Sequence, residues 1–291
     1  MTANKPQTLD WVLLLVLTVF WGISFFFIKK GAEVFSPYQV GALRMSITAI
    51  FLMPILFFKK FNTGSGSIWA VIAVGVLGTG VPSVLFPFAM QPNGGISSSM
   101  GAIFNTLVPL FAFILAVIFL KQKVTLWKVL GLICGSVGVI LLVSDSSLEF
   151  TKLGFFAIIG SFCYGISVTI LKKYLQNYNP VRISAMSVLF LLPLALAYIF
   201  YSNAFEVVTQ HPNGWQGLGY IAFLGIVSTG IANIIFFTLV QRTNTVFATT
   251  VTYMIPIVAI VVGFFDGEPV SYLLFGGLAL ILGAVYLVGR K

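Results

Sequence analysis

The stretch Trp21-Gly22-Ile23-Ser24, followed by Lys29-Lys30 and Pro37, decides the fold because it occurs twice. The second copy keeps every position at the same offset, about half the chain length, and reads Tyr164-Gly165-Ile166-Ser167, Lys172-Lys173 and Pro180. Self-similarity at a fixed offset marks repeated units and has to be interpreted before any local motif. The chain is therefore expected to consist of two copies of one unit.

The composition identifies the environment of these units. Of the 291 residues, 59% are apolar and only 8% are charged, and the mean hydropathy is +1.05. A soluble domain carries about 25% charged residues, so this chain is expected to be an integral membrane protein. The net charge of +9 does not indicate nucleic-acid binding, since the charges sit at the ends of apolar stretches and form no basic face. Cys134 and Cys163 fall inside apolar stretches and are interpreted as inert packing residues.

Apolar stretches of membrane-spanning length follow one another along the whole chain. A helix needs about 20 apolar residues to cross a bilayer. On this criterion an all-α fold of ten spans is predicted, at about 9–28, 38–58, 68–90, 97–120, 126–143, 153–171, 181–200, 216–240, 246–265 and 271–289. The longest hydrophilic piece, about 201–215, is predicted to be a loop only.

The distribution of positive charge predicts the orientation. Lys29, Lys30 and Lys152 fall on one side of the predicted membrane, while Arg44 lies inside the second span. Positive residues mark the cytoplasmic side, so both termini are expected in the cytoplasm. The expected location is the inner membrane of the cell. The residues assigned to that side are Lys5, Lys59, Lys60, Lys121, Lys123, Lys128, Lys172, Lys173, Arg182, Arg242, Arg290 and Lys291.

Five spans per copy is an odd number, so the second copy begins on the opposite side of the membrane. The predicted domains, residues 1–145 and 146–291, are therefore inverted five-helix repeats. A mid-span stretch, Gly78 to Phe86, also aligns with Ser228 to Phe236. Inverted halves that rock around a central site give alternating access, the mechanism of many secondary transporters.

Several motifs occur in an order typical of one transporter group. They are the aromatic-Gly-x-Ser pattern in both copies, Pro37 with Arg44, the run from Asn105 to Pro109, and the turns Phe119 to Thr125 and Phe265 to Ser271. In these motifs the chain resembles the ten-helix EamA-like exporters of the drug/metabolite transporter superfamily. It departs from the family's frequent Gly-Glu after the fourth span, where it has Lys121-Gln122. The resemblance implies an inner-membrane exporter of amino acids or other small metabolites, with a cavity lined by the first, third and fourth helices of each repeat.

Eight side chains are candidates for solute contact. Helical spacing places the aromatics of the repeated motif between hydroxyls on one face, and an amide in hydrocarbon must face protein or water. For the small residues and the amides, close helix packing and interhelical hydrogen bonding are the alternative interpretations. Packing is likewise the alternative for the other aromatics. The candidates are Trp21, Ser24, Phe86, Asn105, Tyr164, Ser167, Asn233 and Tyr253.

Three further residues are predicted to have structural or gating roles. Pro109 and Pro256 lie inside spans and are expected to bend or hinge the fourth and ninth helices. Arg44 is the formally charged residue well inside a span. It is expected to act as a clamp with Glu33, and substrate binding is the alternative.

The coupling chemistry is predicted from what the spans lack. No Asp, Glu or His lies in mid-span, so a buried carboxylate relay is not expected. The protein should work as a facilitator or exchanger, or couple through Asp266 or Glu268 at a span edge. Lys29 and Lys30, on the outer side, are either inherited from the duplication or attract carboxylates near the exit.

No phosphate-binding loop, cofactor or metal site is indicated. The expected partners are a small solute and the lipid bilayer. The protein is expected to act as a monomer. Efflux of lipophilic cations or lipids is the alternative within transport. A membrane scaffold and an intramembrane enzyme are the alternatives outside it, and the second would need convergent catalytic groups.

Overall fold

The computed structural model describes residues 6–58, 68–122, 124–143, 151–243, 245–268 and 272–289. Its first helices are α1 (Thr8–Ala32), α2 (Pro37–Phe58), α3 (Ile68–Gly75), α4 (Val81–Ala89), α5 (Ser98–Asn105), α6 (Val108–Leu120) and α7 (Leu126–Val143). They are followed by α8 (Gly154–Tyr174), α9 (Pro180–Leu189), α10 (Leu192–Tyr201), α11 (Ala204–Gln210), α12 (Gly214–Phe223), α13 (Ala232–Arg242), α14 (Thr245–Thr249), α15 (Val251–Phe265) and α16 (Tyr272–Gly289). The predicted domain boundary at 145/146 and both termini lie outside the described residues.

Most of the predicted spans are present as helical segments of membrane-crossing length. Among the described residues, eight segments are long and apolar enough to cross, and a shorter apolar helix covers Leu126–Gly138. The protein is thus all-helical in these regions and multi-pass, while the count of ten and the inverted symmetry remain predictions. The eight segments are Thr8–Ala32, Pro37–Leu56, Ile68–Ala89, Ser98–Leu120, Gly154–Tyr174, Pro180–Tyr201, Gly214–Arg242 and Phe247–Phe265.

Two of the spans contain a π-helical segment at matching places in the two halves. Val76–Gly80 joins α3 to α4, and Leu224–Ile231 joins α12 to α13. Both segments carry the repeated Thr-Gly pair, at Thr79-Gly80 and Thr229-Gly230. A π-helical turn widens the helix and changes which carbonyls are free to bind other groups, and such turns are frequent at functional sites.

Both the fourth and the ninth predicted spans are interrupted. Only in the fourth does the interruption lie next to the proline that was expected to bend it. α5 ends at Asn105 and α6 begins at Val108, so Pro109 lies in the first turn of α6, where its missing N–H removes no helical bond. Pro256, in contrast, lies inside α15, and the interruption is at Thr250. The location of the second bend therefore differs from the prediction, and the hinge role of both prolines remains a prediction.

The prediction of a plain loop over 201–215 is wrong. Residues Ala204–Gln210 form α11, whose Ala204 and Val208 are buried in the same apolar cluster as Ile199 and Ile221. The two side chains are four residues apart and share one face of the short helix. Burial of this face stabilises the helix, although the polar residues around it give the segment the sequence pattern of a loop.

The first helix of each half packs mainly against the other half. α1 contacts α12, α13 and α15, whereas α8 contacts α3, α4, α5 and α6. The α1–α15 contact is close, since a Cβ added at Gly22 would lie 2.5 Å from the Cβ of Val258. The two halves are therefore interlocked through their first helices.

The bundle has two ends that are used as landmarks below. Lys29 lies in the last turn of α1, and Lys172 lies in the last turn of α8. Lys172 bonds to the end of α13, whose Arg242 in turn binds Asp10 at the start of α1. α8 thus ends beside the beginning of α1. A rise of 1.5 Å per residue separates Asp10 from Lys29 by about 28 Å, so the Lys29 end and the Lys172 end are opposite.

Candidate solute cavity

A small cavity lies inside the bundle, between α1, α2, α4, α8 and their neighbours. Its volume is about 50 Å³, far below the roughly 300–1,000 Å³ of small-molecule pockets. As it stands, the cavity is therefore too small to hold a molecule of metabolite size. Of the eight residues predicted to contact solute, five line this cavity: Trp21, Ser24, Phe86, Asn105 and Tyr164.

Trp21 is held by the π-helical segment of the second half. Its indole Nε1 donates a hydrogen bond of 2.9 Å to the carbonyl of Ser228, and its ring lies 5.1 Å from that of Phe236. The donor of the indole is thus satisfied within the protein, as a buried Trp requires. The orientation of the ring is fixed, and the ring is part of the cavity wall.

Tyr164, the repeat counterpart of Trp21, lines the same cavity from α8. Its ring lies 6.1 Å from Phe86, which makes an edge-to-face contact of 5.6 Å with Phe25. The Tyr164 hydroxyl has no hydrogen-bond partner among the described residues. The two halves therefore contribute equivalent aromatic residues to one space, and the described part of the chain leaves the hydroxyl of one of them without a hydrogen bond.

Arg44 also lines the cavity, with 7% of its surface exposed. Its Nε donates a 2.6 Å hydrogen bond to the hydroxyl of Thr229, which donates to the Leu224 carbonyl at 2.8 Å. The predicted clamp between Arg44 and Glu33 is wrong: Glu33 pairs with Lys30 at 3.3 Å. The reason is geometric, because Glu33 follows the end of α1 and faces solvent, while Arg44 is about 10 Å deep in α2.

Ser24 and Asn105 differ in how far their polar groups are already used. The Ser24 hydroxyl donates to the Trp21 carbonyl at 2.6 Å, a bond within α1. Asn105 is the last residue of α5, and its amide is buried without a hydrogen-bond partner among the described residues. A side-chain amide can form several hydrogen bonds, so Asn105 keeps its capacity for a ligand.

Three predicted contact residues lie outside the cavity, between packed helices. The Ser167 hydroxyl points at the Val74 carbonyl, 3.5 Å away, and the Asn233 amide donates to Thr79 at 3.4 Å. Tyr253 is 2% exposed, and its hydroxyl would lie 3.1 Å from a Cβ added at Gly135. For these residues the arrangement matches the packing alternative, since each fills a helix–helix contact.

Sequence reasoning missed the contribution of the second π-helical segment. Thr229 orients Arg44, and Ser228 supplies the carbonyl that binds Trp21. The signal was available, because Ser228-Thr229-Gly230 repeats Gly78-Thr79-Gly80 in mid-span. Its meaning was hidden, since a π-helical turn has no distinct hydrophobic period.

A cluster of charged and hydroxyl groups joins the two halves at the Lys29 end. Lys29 pairs with Glu268 at 2.9 Å and with Asp266 at 3.2 Å, and Lys30 pairs with Asp266 at 3.0 Å. Glu268 also accepts bonds from Ser98 and Ser99, the first residues of α5. These six residues are called the Lys29 cluster below. The two lysines thus bind acids of the other half of the chain.

The Glu268 carboxylate is buried, with 6% of its side chain exposed. Burial alone would raise its pKa, but the hydrogen bonds from Ser99, Lys29 and Ser98 outweigh this effect and hold the pKa below its usual value. Glu268 is therefore charged at neutral pH. Its position at the N-terminus of α5 adds the favourable field of the helix dipole.

Comparisons with known proteins show which family and which relatives this chain is similar to. The model of the EamA-like transporter family matches residues 10–144 and again residues 152–290. An uncharacterized transporter of Archaeoglobus fulgidus is 28% identical over 97% of this chain and 99% of its own length. The uncharacterized inner membrane transporter YedA of Escherichia coli is 26% identical over 94% of this chain and 89% of its own.

A more distant relative matches over a similar length, and a solved structure shares the fold. The uncharacterized transporter YoaV of Bacillus subtilis is 22% identical over 93% of both chains. One protein of known crystal structure superposes with a TM-score of 0.63 at 14% identity, covering 97% of this chain and 96% of that one. This likeness extends the shared fold over nearly the whole chain.

Proposed function

Because the chain belongs to the EamA-like transporter family, we propose that it is a secondary transporter that exports amino acids or similar small metabolites across the inner membrane. The solute binds in the central cavity, and the two halves rock around it to give alternating access. Both termini lie in the cytoplasm, so the Lys29 end is the outer end. The protein carries no cofactor and catalyses no covalent chemistry.

The observation that carries the proposal is the composition of the cavity wall. Trp21 and Tyr164, from equivalent positions of the two halves, line the same space. α1 and α8, which hold them, are each embedded in the opposite half. A relative movement of the halves therefore has to change the shape of the cavity, which is what alternating access requires.

Efflux of lipophilic cations is the second candidate, and the aromatic lining favours it. Aromatic faces attract cations, and Trp21, Phe86 and Phe236 all line the cavity. Arg44 argues against it, since its fixed positive charge lies in the same wall and repels a cationic solute at short range. Neutral or zwitterionic metabolites are therefore the better fit.

Metabolite profiling of the growth medium tests the proposal. Cells that overexpress the protein should release more of one class of small metabolites, and Trp21→Ala should abolish the excess. Trp69→Ala is the matched control, because Trp69 is 73% exposed on α3 and does not line the cavity. An unchanged medium with well-expressed protein, or equal release from Trp21→Ala and wild type, would contradict the proposal.

A further inference from the structure

Arg44 is a buried cation, and most of its hydrogen-bond donors have no partner among the described residues. A guanidinium has five N–H donors, and the structure assigns one of them, the Nε–H that binds Thr229. No ion pair of the described residues includes Arg44, and it is the charged residue among those that line the cavity. The terminal nitrogens are thus available inside the bundle.

A buried charge without a counter-ion is costly, and an arginine within a membrane-spanning helix is an example of such a charge. Such groups inside membranes face a partner, a cavity or a substrate path. The clamp partner expected from the sequence, Glu33, is engaged elsewhere. The lysines at both ends are also engaged, with carboxylates at Lys29 and with carbonyls at Lys172.

The groups around Arg44 show what else a ligand would meet. Asn105 and Tyr164 carry polar groups without partners among the described residues, and both line the cavity with Arg44. Ser24 and Thr252 also line the cavity, but their hydroxyls already donate to backbone carbonyls at 2.6 and 2.8 Å. Most of the remaining wall is aromatic or aliphatic, as at Phe25 and Phe86. The cavity therefore combines one cation and two neutral polar groups that have no partner among the described residues with a largely aromatic surface.

We propose that Arg44 receives the carboxylate of the transported solute, and that the solute is an organic carboxylate whose remainder is apolar or aromatic. A guanidinium binds a carboxylate through two parallel hydrogen bonds, which a single point charge does not offer. Asn105 and Tyr164 bind the polar groups next to the carboxylate, and the aromatic residues cover the apolar part. The inference rests on the proposed transport function and names its substrate class.

Thr229 is the positioning residue for this contact. Its hydroxyl holds Nε and is itself anchored to the Leu224 carbonyl across the π-helical turn. The guanidinium is consequently fixed before the solute arrives, which lowers the entropic cost of binding. The cavity of about 50 Å³ has to widen around this fixed group.

Ligand pairs that differ only in the carboxylate test the inference on the wild-type protein. The probes are L-phenylalanine, indole-3-acetate, phenylacetate and 4-methylpentanoate, each with its methyl ester, and binding is measured by isothermal titration in detergent. At least one carboxylate should bind at least about tenfold more tightly than its ester, a difference of about 1.4 kcal/mol. If no carboxylate of the panel binds, or if every ester binds as well as its acid, the inference is overturned.

Variants then assign the discrimination to Arg44. Arg44→Gln should bring the acid within about twofold of its ester while leaving the affinity for the ester unchanged, and Arg44→Lys should restore part of the preference. Arg182→Gln is the control, because it removes a positive charge from the start of α9, away from the cavity. A full preference for the acid in Arg44→Gln would refute the assignment.

The wild-type ligand series does not depend on the stability of any variant. Failure of the inference also remains distinct from failure of the transport function. Release of metabolites that all lack a carboxylate in the medium experiment would leave transport intact and overturn the carboxylate class alone. The absence of any released metabolite would count against transport itself.

Discussion

The two ends of the bundle are built from the same repeated unit but are closed differently. Lys29 and Lys172 occupy equivalent positions of the two copies. Lys29 binds two carboxylates of the other half, whereas Lys172 donates to the backbone carbonyls of Val240 and Thr243, at 2.9 and 3.0 Å, within its own half. Of these two equivalent lysines, Lys29 therefore joins the halves, whereas Lys172 caps the C-terminus of α13.

The difference originates in one turn. Asp266-Gly267-Glu268 follows the ninth predicted span, and Leu120-Lys121-Gln122 is its counterpart after the fourth. The middle residue has a left-handed backbone in both, with φ of 85° at Gly267 and 52° at Lys121. The two turns share this backbone shape, at some conformational cost for the lysine. At the Lys172 end, Leu120 and Gln122 stand in the positions of the two carboxylates.

Backbone shape is therefore shared between the two copies of the unit, whereas charge is not. At the Lys172 end the described residues contain one ion pair between the halves, Asp10 with Arg242 at 2.6 Å. The Lys29 end has several, and its Glu268 is also bound to the N-terminus of α5. We therefore expect the Lys172 end to open more readily than the Lys29 end.

The largest effect is expected for Glu268→Gln. The amide keeps the size of the side chain but removes the charge that Lys29 and the N-terminus of α5 bind, so the free energy of unfolding should fall by about 2–3 kcal/mol. Chemical or thermal unfolding in detergent measures it. Glu33→Gln is the control, since Glu33 is 42% exposed and its loss should cost less than about 0.5 kcal/mol. Equal losses in the two variants would show that the Lys29 cluster does not stabilise its end.

A matched pair of lysine variants has an intermediate effect. Lys29→Met leaves Glu268 with an unpaired buried charge and should lower the unfolding free energy by about 1–2 kcal/mol. Lys172→Met removes a cation from the C-terminus of α13 and should cost about 0.3–1 kcal/mol. The same unfolding assay compares them. If Lys172→Met proved as damaging as Lys29→Met, the two ends would be equivalent after all.

The smallest effect is expected in how the stability contribution of Glu268 changes at acidic pH. Because the pKa of Glu268 is below its ordinary value, its contribution to stability is fully present above the pKa of an unfolded glutamate, about 4.3. It is lost as the pH falls through the lower, native pKa. The groups that face Glu268 are Lys29, which stays charged throughout, Ser98 and Ser99, with Asp266 and Lys30 beside them.

The stability difference between wild type and Glu268→Gln measures this contribution directly. It should be constant between about pH 5 and 7 and shrink below about pH 4. A difference that stayed the same down to pH 3 would mean that Glu268 contributes through packing and not through its charge.

The repeat explains why much of the fold followed from the sequence. Trp21 and Tyr164 marked equivalent positions, and the structure places both in one cavity. The helical segments follow the apolar stretches because a backbone in lipid has to satisfy its own hydrogen bonds. The short helix α11 escaped prediction because its stability comes from two buried side chains, Ala204 and Val208, and not from a periodic pattern.

The polar residues were harder to assign than the aromatic ones. Asn105 and Asn233 look alike in the sequence, since both are amides in spans. In the structure Asn105 faces the cavity, while Asn233 binds Thr79 in a neighbouring helix. A rotation of about one residue, 100° around the helix, is enough to exchange these environments.

By itself the sequence determined that this is a duplicated, all-helical membrane protein with charged residues confined almost entirely to the ends of its spans. These properties follow from composition and period, which depend only on the order of residues. The tertiary structure alone decided that Arg44 has no acidic partner in the described residues, that Thr229 holds it, and that Lys29 joins the two halves. Each of these depends on how helices distant in the chain are rotated against one another, and hydrophobic periodicity does not encode that angle.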